Sequence, residues 1–311
     1  MDILIGNTGF VGSNLHMQYG FDDVFNSTNI EDAFELNPDL CVYAGVRAEK
    51  FLSNSNPEAD MAVIENAIEN IKRVNPKRLV LISTIDVFAS PAGSDENTPV
   101  VEEGLHAYGY NRYQLEKWCV ANIENCHIMR LPGLFGANIK KNFIYDIIHI
   151  LPSALNESKF NEFAEKEELV GKHYNKQENG FYMLKSHTEA ERANLLEAFK
   201  RLGFSALNFT DSRAVFQFYN LAYLWGHTKF AVDSRIKLMH LAVEPVSAHE
   251  LYHAVRGEDF TNEITDAPPS YDLKSIHAEV FGGVRGYIFS KQRVINEVRN
   301  FVKNYTIKTN A

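Results

Sequence analysis

The chain has 311 residues, 45% of them hydrophobic and 23% charged, and a formal charge of −9. That length buries a large core, in one big α/β unit or two intimate domains, and the acidic balance argues against a nucleic-acid partner, which would want a basic surface. No apolar run nears the roughly 18 residues of a membrane span, and no signal sequence is expected ahead of the first strand. Cys41, Cys119 and Cys126 lack metal-site spacing and point to reduced thiols in the cytoplasm.

Asp2-Ile3-Leu4-Ile5 is an apolar run too short for a helix, punctuated by Gly6, Gly9 and Gly12, and Ser13 to Met17 then open a helix. A strand that turns through three glycines into a helix gathers bare N–H groups and the positive end of the helix dipole at one point, which suits a pyrophosphate. The spacing is G-x-x-G-x-x-G: the first glycine allows the tight turn, the second the approach of a phosphate, the third close packing of helix on strand. Gly6, Thr8, Gly9, Phe10, Val11 and Gly12 are therefore the candidate cofactor-binding turn.

Asp23 to Asn26 is a short second strand. Dinucleotide folds carry an acid there for the ribose, or nearby basic residues for a 2′-phosphate. Asn26, followed by Ser27, Thr28 and Asn29, leaves NAD and NADP both open. Leu40 to Gly45 is a buried strand whose small end, Ala44-Gly45 with Val46, lets a cofactor lie against the backbone. Pro57 starts a helix striped by Met61, Ile64, Ile68 and Ile71, and Arg78 to Thr84 is the next strand. Strand and helix alternating at this pace predict right-handed crossovers, a parallel sheet, and ligands at the carboxyl ends of its strands. Ala89 to Gly104 reads as a polar loop. Tyr108 to Trp118 reads as a helix with Leu115, Trp118, Cys119 and Ile123 inward, and Cys126 to Leu131 as a strand before Pro132-Gly133-Leu134-Phe135-Gly136.

The glycine turn, Ser83-Thr84-Ile85-Asp86-Val87-Phe88, Tyr108-Gly109-Tyr110-Asn111-Arg112 and Arg130 to Gly136 come in an order that resembles the extended short-chain dehydrogenase/reductases: the nucleotide-sugar epimerases, dehydratases and reductases. The likeness is firm over residues 1 to 136 and looser beyond. It implies a Rossmann-type doubly wound parallel sheet at 1–136, with returning segments near 205–225 and 237–257. A smaller substrate-binding α/β subdomain would then come from 137–204 and 258–311. It also implies NAD or NADP as cofactor and a nucleotide sugar as substrate.

In that family a Ser or Thr, a Tyr, and a Lys four residues after the Tyr do the chemistry. Carried over, Thr84 with Ser83 beside it is the hydroxyl partner. Tyr108 is the acid/base that exchanges a proton with a sugar hydroxyl or carbonyl while the nicotinamide moves a hydride. Arg112 stands where the lysine is expected; it keeps the charge and can bond ribose hydroxyls, but it is bulkier and planar. Tyr113 and Lys117 form an intact Tyr-x-x-x-Lys. Five residues further along a helix turns its face by about 140°, so both pairs cannot share one site. Tyr108-Gly109 fits the family's Tyr-Gly opening, with Glu116 where its helix often carries an acid. The dehydratases' Asp-Glu pair reads Ile85-Asp86 here. Isoleucine donates no proton, so dehydration is disfavoured, and Asp86 is left as a base, a sugar-hydroxyl ligand or a structural acceptor.

Beyond residue 136, Asn142 is a candidate for the nucleotide diphosphate or simply the first residue of a helix. Glu157 to Gln177 reads as an exposed helical insertion, and Glu189 to Leu202 as a helix closed by Gly203. Leu207 to Tyr219 has no helical period and resembles the family segment that grips the sugar nucleotide. Arg213 is its first candidate for the diphosphate and Gln217 its second. Lys237 to Ala242 is a strand, and Ser247 to Glu250 is a capping box for a helix ended by Gly257. Asp259 to Lys274 reads as surface loop, Ser290 to Lys303 as a last helix burying Val294, Val298, Phe301 and Val302, and Ile307 to Ala311 as a fraying end. The eleven histidines suggest no ligand cluster, and no metal is expected. Two functions fit: a C4 epimerase or 4-keto reductase of nucleotide sugars, or a non-catalytic NAD(P)-binding sensor or scaffold in which Arg112 marks lost chemistry. The family often pairs through helices flanking the tyrosine, so a homodimer is a further expectation.

Overall fold

The structure is a computed structural model that describes residues 1–309. The chain divides into two compact units, one of 1–139, 215–246 and 269–297, the other of 140–214, 247–268 and 298–311. The return to the first unit thus begins at 215, the helix opened by Ser247 lies in the second unit, and 269–297 lies in the first.

In chain order the elements are β1 (Asp2–Ile5), α1 (Phe10–Gln18), β2 (Asp23–Phe25), β3 (Leu40–Tyr43), α2 (Lys50–Ser55), α3 (Pro57–Val74), β4 (Leu79–Thr84), α4 (Ala107–Asn122), β5 (Cys126–Leu131) and β6 (Gly133–Phe135). Next come α5 (Phe143–His149), β7 (Ala154–Leu155), α6 (Glu157–Lys166), α7 (Glu168–His173), β8 (Tyr174–Lys176), β9 (Tyr182–Leu184) and α8 (Glu189–Arg201). The rest are β10 (Val215–Phe216), β11 (Phe218–Asn220), α9 (Leu224–Asp233), β12 (Leu238–His240), β13 (Val246–Ser247), α10 (Ala248–Arg256) and α11 (Lys291–Thr309).

The first unit is built on a six-stranded sheet of order β12-β5-β4-β3-β1-β2, parallel throughout. From β1 the chain goes to β2 on one side, then to β3 and β4 on the other. The crevice at the carboxyl ends of β1 and β3 is therefore the topological switch point, where such sheets bind ligands. Continuous apolar runs such as Ile3-Leu4-Ile5 and Leu79-Val80-Leu81 make these strands apolar on both faces, as sheets covered by helices require. Ile3, Ile5, Cys41, Tyr43, Leu79 and Leu81 pack with Ile64 and Ile71 of α3 and Leu115 and Cys119 of α4. The α3 helix starts where Asn56 caps the Ala59 N–H and Pro57 takes the first turn, and it stops at Asn75 in the left-handed region. All three thiols are at most 4% exposed. A thiol reagent is expected to modify none of them in the native protein and all of them after denaturation, counted by absorbance.

The second unit has its own core of Leu151, Leu155, Phe163, Val170, Tyr174, Leu195 and Phe199, beside an antiparallel sheet of order β7-β9-β8. Residues 157–177 are therefore not an exposed insertion: α6, α7 and β8 supply Phe163, Val170 and Tyr174 to that core. A charge-rich composition hid three apolar anchors, one on each of these elements. The last helix continues past Lys303 to Thr309, and of the end expected to fray, residues 310 and 311 lie outside the described residues.

Candidate active site

The chain leaves β1 at Gly6 with φ of +94°, and a Cβ there would lie 2.5 Å from the Ala44 carbonyl oxygen. At Gly12 a Cβ would lie 2.0 Å from the Gly6 carbonyl oxygen. Both glycines are thus dictated by close backbone approach. Gly9 differs: it is exposed, the nearest atom to an added Cβ is 3.3 Å away, and it caps α1 with no side chain on the cap. The first-turn amides of Phe10, Val11 and Gly12 have no carbonyl four residues back to bond, and no acidic residue stands in that turn. Bare donors at a helix N-terminus are what a phosphate-bearing ligand needs, so the turn fits a dinucleotide. Thr8 is exposed on it, and Ala44, Gly45 and Val46 run out from the adjacent β3, whose Ala44 N–H bonds the Ile5 carbonyl at 2.8 Å. At the end of β2, Asn26 accepts from the Thr28 N–H and hydroxyl, at 2.9 and 2.7 Å, and donates to Asn7 at 3.3 Å.

Two devices set Tyr108 beside the end of β4. His106 caps α4, its Nδ1 accepting the Gly109 N–H at 3.0 Å, and Asn54 of α2 accepts the Tyr108 N–H at 2.9 Å. A Cβ on Gly109 would lie 1.9 Å from the Asp86 carbonyl oxygen, which explains the Tyr-Gly pair: only glycine lets α4 close on the turn after β4. Gly109→Ala is expected to force that contact apart and cost about 1–3 kcal/mol, read as a lower denaturant midpoint.

Tyr108 is buried, and the Arg112 guanidinium lies over its ring, 3.9 Å from the centroid. Arg112 does not reach outward. It bonds the Asp60 carboxylate, the Arg47 carbonyl at 2.6 Å and the Tyr108 carbonyl at 3.4 Å, and Asp60 also accepts from Ser53 at 2.6 Å and Asn111 at 2.9 Å. Burial pushes the Tyr108 phenol above its usual value, more than the Arg112 charge and the Thr84 hydroxyl pull it down, with Asp86 adding to the rise. Thr84 accepts the Asp86 N–H at 3.1 Å, which leaves its own hydrogen for the phenol oxygen. Asp86 pairs with Lys50 at 2.7 Å and lies 3.9 Å from Nε2 of His106.

Other candidates are held elsewhere. Ser83 donates to Glu116 at 2.5 Å, inside a buried network in which Glu116 clamps Arg130 at 2.6 to 3.2 Å. Its hydroxyl is structural, and Thr84 is the one beside the phenol. Lys117 pairs with Glu102 at 2.6 Å and lies over the Tyr113 ring, while Tyr113 packs against Ile85, Val87 and Phe88. Gln217, 1% exposed, donates to the Val243 and Leu273 carbonyls and accepts the Leu273 N–H, so its whole amide joins main-chain segments and none is left for a diphosphate. In the second unit the Asn142 side-chain oxygen caps α5 at Ile144 and Tyr145. Arg213 is clamped by Asp211 and Glu263 and donates to the Thr265 carbonyl, so two carboxylates already answer its charge.

The residues that sequence reasoning missed are Lys50, Asn54, Asp60, His106 and Tyr271. Asn54 and Lys50 are four apart, a same-face spacing just ahead of Asn56-Pro57, and this was the available signal. Tyr271 fell in a stretch read as surface loop. In fact Leu273 is fully buried and the Tyr271 N–H bonds the Val215 carbonyl at 3.0 Å. Among the described residues, no helix is long and apolar enough to cross a membrane, and no group of three or more His, Cys, Asp or Glu is placed to hold a metal.

A six-stranded parallel sheet with a glycine turn at its switch point defines the class: a Rossmann-type α/β protein. The chain belongs to the NAD-dependent epimerase/dehydratase family, whose sequence model matches residues 21–178. Among solved structures it is similar to dTDP-4-dehydrorhamnose reductase from Bacillus anthracis in complex with NADP, at 14% identity and a TM-score of 0.62, covering 98% of this chain and 99% of that one. It is also similar to UDP-glucose 4-epimerase from Thermus thermophilus in complex with NAD, at 15% identity and a TM-score of 0.59, with the same two shares. A third, dTDP-4-dehydrorhamnose reductase from Clostridium acetobutylicum, shares 14% identity at a TM-score of 0.61, over 97% of this chain and all of that one. Comparison with curated proteins finds no match.

Proposed function

We propose that the protein is an NAD(P)-dependent reductase of a nucleotide-activated 4-keto sugar, with Tyr108 as its proton donor. The observation that carries this reading is the Tyr108 phenol, buried between Thr84 and the stacked Arg112 guanidinium at the carboxyl end of β4. A nicotinamide coenzyme on the opening turn would supply the hydride. Gly6 to Gly12 and the first-turn amides of α1 would hold its pyrophosphate, and Ala44 to Val46 would flank it. Asn26 offers the ribose end neither a carboxylate nor a cation, so coenzyme preference rests there on hydrogen bonding alone.

The chain's own groups handle the proton. Because burial outweighs the pull of Arg112, the phenol holds its proton at neutral pH, which suits protonation of a carbonyl oxygen better than abstraction from an alcohol. Once the proton has gone, the Thr84 hydroxyl and Arg112 stabilise the phenolate. With isoleucine at position 85 no second acid faces a leaving hydroxyl. The test is to strip bound coenzyme, titrate with oxidised and reduced NAD and NADP by calorimetry, and then follow coenzyme oxidation with a panel of 4-keto nucleotide sugars. Stoichiometric consumption is expected. Interconversion of C4 epimers without added coenzyme would make it an epimerase instead. Tight coenzyme binding with no turnover would leave the sensor or scaffold reading, and no binding of any coenzyme would end both.

A further inference from the structure

We propose that Lys50 is a catalytic residue of this site: its ammonium meets the substrate oxygen that Tyr108 protonates, in the place that the helix cation, Arg112, leaves open. The inference rests on the Tyr108-centred reading above.

The two cations are held in opposite ways. Arg112 is 5% exposed, its guanidinium fixed by Asp60 and the Arg47 carbonyl with its flat face on the tyrosine ring. Every one of these contacts faces protein. Lys50 comes from α2, and its side chain is 40% exposed. Its Nζ lies 2.7 Å from Asp86 Oδ1 and 3.3 Å from the Tyr271 hydroxyl, and its third hydrogen has no acceptor among the described residues. The geometry of α2 aims it. Lys50 and Asn54 lie one turn apart on one face, and Asn54 is bonded to the Tyr108 N–H. Asp86 follows Thr84 by two residues, so the carboxylate that steadies the ammonium belongs to the same strand end as the hydroxyl that steadies the phenol.

The groups around the phenol are then Lys50 from α2, Thr84 and Asp86 from the end of β4, and His106 and Arg112 from α4, with Tyr271 of the returning segment bonded to Lys50. Burial works against the charge on Lys50, but Asp86 and Tyr271 outweigh it and set its pKa above the ordinary value. His106 is pushed down by burial and by the Lys50 charge. With its Nδ1 accepting from Gly109, it stays neutral and keeps its proton on Nε2. Lys50 is therefore the cation at the phenol that stands open to a ligand, its side chain 40% exposed where Arg112 is 5% exposed. It gives up no proton; it holds the oxygen while negative charge gathers there.

The test compares Lys50→Met and Lys50→Arg with the wild-type full chain in coenzyme calorimetry and in kcat and KM against pH. Lys50→Met is expected to lose about 100-fold in kcat, the scale of one lost oxyanion donor, with coenzyme affinity held within a factor of about three. Its alkaline limb should move to higher pH, because a cation that favours phenolate has gone. Lys50→Arg is expected to restore about tenfold of that loss. A Met variant within about threefold of wild type in kcat, or one that loses rate with no shift of the limb and no rescue by Arg, overturns the inference. If the wild type reduces no such sugar, the functional reading itself has failed. The Lys50 inference is then read by ultraviolet titration of Tyr108, with Tyr108→Phe subtracting the other phenols. An unchanged midpoint in Lys50→Met rejects it, and a midpoint moved to higher pH keeps Lys50 at the phenol.

Discussion

Tyr108→Phe is expected to cut the reduction of a 4-keto nucleotide sugar by about 10²–10⁴-fold, the usual contribution of a positioned general acid, with coenzyme affinity little changed. The substitution removes one oxygen and keeps the ring, so the face on which Arg112 stacks and the fit of α4 against Asp86 both persist. The N–H that Asn54 accepts belongs to the main chain and survives too. What goes is the proton. The pH profile checks the assignment independently. The Tyr108 phenol is raised above its ordinary pKa, by burial first, so wild-type reduction should hold from neutral pH upward. It should fall only as pH passes that raised value, above about 10. The Phe variant's residual rate should lack this limb. A variant that keeps wild-type kcat would remove Tyr108 from the chemistry, whatever the coenzyme binding shows.

The second large effect is expected at Asp60. Removing its carboxylate leaves the Arg112 guanidinium buried without a counter-charge and takes the acceptor from Ser53 and Asn111. Breaking a buried pair from one side costs about 3–5 kcal/mol, so Asp60→Ala should show a marked drop in denaturant midpoint. Activity should fall as well, since only the Arg47 and Tyr108 carbonyls then hold the cation over the tyrosine ring. Combining Asp60→Ala with Arg112→Met should recover part of the stability by removing the stranded charge, and a double-mutant cycle measures that coupling. Burial alone would raise the Asp60 pKa, but its hydrogen bonds from Arg112, Ser53 and Asn111 outweigh that and leave it lowered. A depressed folded-state value gives stability that is present above the unfolded value near 3.9 and is lost as pH falls through the folded one. The contribution should thus hold throughout the neutral range and disappear only in strong acid. A change below about 1 kcal/mol in Asp60→Ala would place the pair among weak surface bridges instead.

Arg112 illustrates where reading the chain stopped. Its position four residues after Tyr108 was plain, as was the cost of replacing lysine with a planar, forked cation. Its destination was not, because the carboxylate that captures it is 52 residues away in sequence. The same distance problem hid Lys50, which meets Asp86 across 36 residues and Tyr271 across 221. It also misled on Arg213 and Gln217. An arginine and an amide in an irregular segment look available to a ligand until their partners, Glu263 for one and the Leu273 backbone for the other, fold in beside them.

The sequence by itself determined the parts whose causes lie within a few residues. These are the strand and three-glycine turn at the start, the period of α3, the alternation that makes a parallel sheet, and the capping box at Ser247. Local sterics, helix and strand periods and turn chemistry act over about ten residues, so a linear reading reaches them. Only the tertiary structure decided which charges are answered and which remain free. Asp60 takes Arg112, Glu116 takes Ser83 and Arg130, and α2 delivers Lys50 and Asn54 to the tyrosine. A hydrogen bond or ion pair is set by distance in space, and once the chain has crossed its sheet several times, separation along the backbone no longer predicts it.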